Sequence, residues 1–217
     1  MFIDLIDIYQ KLYSVYNIPD GWWPGDSNFE IMVGALLTQN TNWNNVEKSL
    51  HNLKNLLTPI SLYDLPIEEL EELIKPSGFY GVKAKYLKNL LEWFKKYDFS
   101  FDELNNKEKD ELRNELLNIK GIGKETADSI LLYAFNKLSF VIDSYTIRMF
   151  SRIGLNIKKD YDTYKIFFEN KLPKNIILYK NYHGLIVEHS KKYCKKKPLC
   201  KNCFLKNLCL FGEKYVR

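Results

Sequence analysis

The chain has 217 residues, 46% of them hydrophobic and 27% charged, with a formal net charge of +5. That length supports a sizeable core, as one large domain or two small ones, and the hydrophobic share marks a globular chain. No apolar run approaches the roughly 18 residues of a membrane-spanning helix, so no membrane partner is expected.

Residues 1–17 read as an amphipathic helix, with Asp4 and Asp7 among apolar neighbours. The segment has neither the basic start nor the cleavage site of a signal peptide, so a cytoplasmic location is the expectation. Tyr16-Asn17-Ile18-Pro19-Asp20-Gly21 breaks the helix, and Trp22-Trp23-Pro24-Gly25 follows as an aromatic loop. Neighbours on a helix point about 100° apart, so two adjacent tryptophans cannot both face a core from one. They form either a stacking platform or a plug for the end of a helical bundle.

Residues 29–53 are helical with a polar interruption. Thr38-Gln39-Asn40-Thr41-Asn42 separates an apolar first half from Trp43, Val46, Leu50 and Leu53. Such a run is a functional turn or a helix junction capped by amides. A helix is predicted after Pro66, with Leu70, Leu73 and Ile74 inward. The segment Gly78-Phe79-Tyr80-Gly81-Val82-Lys83-Ala84 then opens a helix carrying Tyr86, Leu87, Leu90, Leu91 and Phe94.

Residues 101–113 are charged and helical, and lead into residues 116–143. Leu112, Leu116 and Ile119 make one apolar stripe, and Ala127, Ile130, Leu131 and Ala134 make another. Between them, Gly121-Ile122-Gly123 permits a sharp turn, because glycine accepts positive φ at little steric cost. The N–H groups opening the second helix lack partners within it, which makes an anion site. The plain alternative is an αα-hairpin that binds nothing. A short apolar run, 138–142, then delivers Asp143 to the head of a helix bearing Ile147, Phe150 and Ile153. Aspartate there is a favoured N-cap.

Two further helices are predicted at 161–170 and 175–192. His183 and His189 have no acidic or thiol partner at useful spacing and read as structural or surface groups. Helix follows helix with no alternating strand pattern, so the fold class is all-α. All four cysteines lie near the C-terminus, as Cys194-x5-Cys200-x2-Cys203-x5-Cys209. Four clustered thiols in an otherwise cysteine-free chain point to a metal site, zinc or iron–sulfur. From residue 181 on, nine Lys/Arg stand against Glu188 and Glu213. That basic tail suits a polyanion partner, or else a solubilising lysine surface.

Taken together, Gly121, Gly123, Thr126, Ala127 and Val141-Ile142-Asp143 resemble the helix-hairpin-helix DNA glycosylases of the endonuclease III superfamily. The resemblance implies two helical domains, residues 24–136 and residues 1–23 plus 137–217, with double-stranded DNA in the cleft and Asp143 at the junction. It implies that Asp143 is the catalytic carboxylate acting on a flipped, damaged base. Leu37 to Thr41 is similar to the family's L-x-Q-x-T turn, making Gln39 and Asn40 candidates to fill the gap left in the DNA. Gly121, Gly123, Lys124 and Lys83 become candidate DNA contacts. The cysteine spacing is similar to the family's C-x6-C-x2-C-x5-C loop, one residue shorter in the first gap, which implies a 4Fe-4S cluster rather than zinc.

Where bifunctional members carry a nucleophilic lysine, this chain has Glu125, and a carboxylate cannot form an imine. A monofunctional, water-using enzyme is therefore expected, and a monomer. Trp22, Trp23, Pro24 and Trp43 resemble the base pocket of the 3-methyladenine branch. The alternatives are a bifunctional glycosylase and lyase for oxidised pyrimidines, and a non-catalytic helix-hairpin-helix DNA-binding protein.

Overall fold

Short polar side chains mark where eight of the helices of this chain begin. The computed structural model describes residues 3–216. Its helices are α1 (Leu5–Val15), α2 (Asn28–Leu37), α3 (Trp43–Leu53), α4 (Pro59–Asp64), α5 (Ile67–Ile74), α6 (Tyr80–Lys95), α7 (Phe101–Asn105), α8 (Lys109–Asn118), α9 (Lys124–Ser129), α10 (Ser144–Ile153), α11 (Tyr161–Lys171), α12 (Ile176–Lys192) and α13 (Leu210–Val216). No strand occurs among the described residues, and the fold is all-α. Asp4, Ser27, Asn42, Thr58, Ser100, Asp143, Asp160 and Asn175 are all extended N-cap residues. Each side chain accepts from the N–H three positions on, satisfying a donor the helix cannot.

The backbone divides into two compact units. One is Pro24–Lys137; the other joins the chain up to Trp23 to the chain from Leu138 on. Within Pro24–Lys137, α2 is apolar on every side from Ile31 on and is buried accordingly, against α6 and α9. Phe29, Trp93, Phe94 and Phe101 stack or meet edge-on beside it. α9 does not continue as a regular helix through its apolar stripe. Residues 130–134 form a π-helical turn, closed by the Phe135 N–H on Ile130 O at 3.2 Å. All five of those side chains are buried, so burial follows the stripe while the hydrogen-bond register widens by one.

In the other unit, α1 and α10 pack against α12. Phe140, Phe150, Phe168 and Tyr182 form its aromatic centre, and the Tyr182 hydroxyl donates to Leu5 O at 2.7 Å. The connection into α10 is held by a polar brace. Lys165 Nζ donates to Ser139 Oγ at 2.7 Å, Phe140 O at 3.2 Å and Glu169 Oε1 at 2.7 Å, while Glu169 accepts the Phe140 N–H at 2.8 Å. The backbone that delivers Asp143 is thereby fixed.

Candidate active site

Asp143 caps α10 and is 7% exposed. Its Oδ1 accepts from the Thr146 N–H at 2.6 Å and from Thr146 Oγ1 at 2.7 Å. Its Oδ2 faces His183 Nε2 at 3.6 Å. Burial alone would push the carboxyl up, but His183 and the Thr146 hydrogen bonds outweigh it and hold Asp143 below the usual carboxylate range. The result is a desolvated carboxylate that stays charged.

An aromatic group stands next to this pair. The Trp22 indole meets the His183 ring edge to face, with centroids 5.4 Å apart and planes at 88°. Trp22 in turn meets Trp23 at 6.1 Å and 87°. Trp22 sits at φ +48°, and its ring lies on the backbone of α12 where a Cβ at Gly184 would collide with it. The loop is anchored as well. The Gly21 N–H donates to Asn181 Oδ1 at 3.0 Å, and Asn181 Nδ2 donates to Asp20 Oδ1 at 3.1 Å.

The glycine hairpin belongs to the Pro24–Lys137 unit. Gly121 adopts φ +105°, with the Tyr86 ring packed where a side chain would be. Gln39 braces the turn from α2's end, its Nε2 donating to Gly121 O and Thr126 Oγ1, both at 2.9 Å. Gly123, Lys124 and Glu125 are exposed at the head of α9.

The four thiols are unbridged and line one cavity, with Met149, Ile153 and Phe211 among its walls. Arg152 Nη1 donates to Cys194 Sγ at 3.3 Å and to Lys195 O at 2.6 Å, and the Gly212 N–H donates to Cys209 Sγ at 3.4 Å. Burial pushes the Cys203 thiol up to about 11, and raises Cys200 and Cys209 as well. A metal bound there would displace those protons. An all-sulfur donor set with hydrogen bonds to its sulfurs fits a thiolate-held metal group. Among the described residues, no three His, Cys, Asp or Glu side chains are grouped to hold a single ion.

The model of the HhH-GPD superfamily of base excision DNA repair proteins matches residues 33–174, a span that includes both the hairpin and Asp143. The chain belongs to that superfamily. It is a DNA repair glycosylase. A Methanocaldococcus jannaschii protein classed as a DNA repair glycosylase is 48% identical over 213 residues, covering 93% of this chain and 97% of that one. The solved structure of an H. pylori 3-methyladenine DNA glycosylase bound to 1,N6-ethenoadenine has a TM-score of 0.79 at 36% identity, over 88% of this chain and 98% of that one. A non-covalent endonuclease III–DNA complex shares the fold, with a TM-score of 0.81 at 22% identity and 100% of each chain covered.

Several side chains of the glycosylase differ from their sequence-based expectation. Lys83 is not a phosphate contact: it is 2% exposed, and its Nζ donates to Leu37 O at 2.8 Å and Ser77 O at 2.7 Å. His183 has an acidic partner after all, in Asp143. His189 is buried between Tyr16, whose hydroxyl lies 3.0 Å from Nδ1, and Cys203, whose Sγ lies 3.5 Å from Nε2. For His183 the sequence signal is a polar ring beside Tyr182, Gly184 and Leu185; His189, among Glu188, Ser190 and Lys191, carries none. Gln39 is committed to the hairpin, whereas Asn40 is exposed at φ +54°. Trp43 is half-buried and donates through Nε1 to Glu47 Oε1 at 2.9 Å, and Pro24 is exposed.

Proposed function

We propose that this glycosylase hydrolyses the N-glycosidic bond of alkylated purines of the 3-methyladenine type, without lyase activity. The observation that carries the reading is the aromatic pair built against the buried Asp143 carboxylate through His183. An N-alkylated purine is cationic, so it stacks well and is drawn to aromatic faces. Trp22 and Trp23 would take the base once it is flipped out of the duplex. Such a base is already a good leaving group. The enzyme's task is then to stabilise the positive charge growing at C1′, as in other glycoside cleavage. A carboxylate kept ionised in a desolvated site does this, and can orient the attacking water. Similarity to the H. pylori 3-methyladenine glycosylase supports the same substrate class.

Glu125, exposed at the head of α9, occupies the position of the lyase lysine and supports hydrolysis over imine chemistry. Lys124 is one residue early, about 100° away around the helix. With Gln39 committed to the hairpin, exposed Asn40 is the amide that enters the gap in the DNA. Cys194, Cys200, Cys203 and Cys209 would hold a 4Fe-4S cluster, supported by their spacing and by the one cavity that all four thiols line. When bound, the cluster supplies a structural cross-link. The enzyme would act as a monomer on double-stranded DNA.

The test is base release from methylated duplex DNA and from thymine-glycol duplex DNA, each with and without alkali and with borohydride. Free methylpurine, strand breaks only after alkali and no trapped adduct are expected. Alkali-independent breaks on the thymine-glycol duplex, or a borohydride-trapped complex, would replace this reading with the bifunctional one.

A further inference from the structure

Thr146 occupies only one oxygen of Asp143. Both of its donors converge on Oδ1, which by itself leaves the carboxylate able to swing about that oxygen. The side chain facing Oδ2 is His183 Nε2. Its side chain is 5% exposed and is held from two directions. Trp22 packs against it edge to face. Its helix, α12, is pinned by the neighbouring Tyr182 hydroxyl on Leu5 O. Trp22 is held at a positive φ, and its indole lies so close to the α12 backbone that a Cβ at Gly184 would overlap it. A non-glycine residue at positive φ costs of order 1–3 kcal/mol and persists only where its surroundings over-determine it.

We infer that His183 is a positioning residue: its Nε2–H holds Oδ2 of Asp143, and so fixes the carboxylate relative to the aromatic face of Trp22. This rests on the reading of Asp143 as the catalytic carboxylate. The physical basis is a hydrogen bond to an ionised acceptor, which is both strong and directional. The 3.6 Å separation is longer than the optimum for such a bond. Catalytic contacts are commonly long before substrate arrives and tighten in the complex. A nucleotide whose base stacks on Trp22 would then have its C1′ registered against Asp143 through one imidazole.

The test uses three substitutions that separate the N–H from the packing. His183→Gln places an amide nitrogen where Nε2 stands. His183→Asn places one where Nδ1 stands. His183→Phe keeps the ring against Trp22 and has no donor. Single-turnover release of methylpurine is measured beside affinity for duplex carrying an abasic-site analogue, with Asp143→Asn in the same series. His183→Gln is expected within about 10-fold of the wild-type rate, and the Asn and Phe variants slower by about 100-fold, with analogue affinity unchanged in all three. A wild-type rate in His183→Phe, or a loss in His183→Gln as large as in His183→Phe, overturns the inference. A second measurement needs no His183 variant. The imidazole nitrogen resonances of His183 are expected to move in Asp143→Asn, and unmoved resonances also overturn it. Full activity in Asp143→Asn would instead remove the catalytic reading itself; an inactive Asp143→Asn beside a fully active His183→Phe removes only the role of His183.

Discussion

Two backbone carbonyls hold the ammonium of Lys83, one from the end of α2 and one from the turn before α6. Both belong to segment ends, where carbonyls have no helical partner. The lysine therefore closes two elements at once, and its charge is satisfied without solvent. Replacing it with methionine would leave both carbonyls buried and unpaired. Lys83→Met is expected to lower the unfolding free energy by on the order of 1–3 kcal/mol, read from denaturant melts. The slope of log DNA affinity against log salt is expected to stay at the wild-type value, because no phosphate contact is removed. A slope shallower by about one unit would restore Lys83 as a phosphate contact. There is also a pH signature. Burial lowers the Lys83 pKa to about 8, so between that value and the ordinary lysine range the unfolded chain binds more protons than the folded one. Stability contributed by this residue rises with pH across that window. The wild type should gain on Lys83→Met as pH is raised through it.

At the level of the element, the hairpin shows what local pattern carries and what it does not. The apolar stripes flanking Gly121-Ile122-Gly123, the N-cap at Asp143 and the all-helical class are local properties, and periodicity and capping chemistry report them directly. The brace from Gln39 to Gly121 spans 82 residues, and the contact from Lys83 to Leu37 spans 46. His183 meets Asp143 from another helix. No local pattern says which polar side chains meet across elements, so these three were illegible. The π-helical turn at 130–134 was illegible for a different reason: a buried stripe looks the same in either hydrogen-bond register. Gly121 tests the turn itself. Gly121→Ala meets both a disfavoured φ and the Tyr86 ring, so a lower melting temperature and weaker DNA binding are expected. Adding Tyr86→Ala would relieve the overlap but not the backbone, so only part of the loss should return. A single Gly121→Ala variant that melts with the wild type and binds DNA equally would show that the turn does not depend on this glycine.

For the molecule as a whole, the charge is concentrated in one region, and so is the soft-metal chemistry. Nine of the 32 Lys/Arg residues follow residue 181, and Lys195, Lys196, Lys197 and Lys201 are exposed around the thiols. α10 connects this region to the chemistry. Asp143 caps its first turn, while Arg152 in its last turn bonds Cys194 and the carbonyls of Lys195 and Lys196. Ten residues of helix span roughly 15 Å, so carboxylate and thiol loop ride on one stiff element of the same unit. A metal group bound by the four thiols would order the loop, and with it the exposed lysines that we propose meet phosphate. Cys203→Ser is therefore expected to lose bound iron by metal analysis and to melt earlier. It should bind DNA more weakly and with a shallower salt slope, because fewer lysines are held in place. Base choice should not change, since Asp143, Trp22 and Trp23 are not among the residues that line the thiol cavity. The metal analysis of the wild type also decides the donor chemistry: about four irons per chain fit a 4Fe-4S cluster, and one zinc fits a tetrahedral ion. If Cys203→Ser kept its metal, or lost it while keeping the wild-type salt slope, the loop would not be what orders these lysines, and the basic tail would act on DNA independently of the thiols beside it.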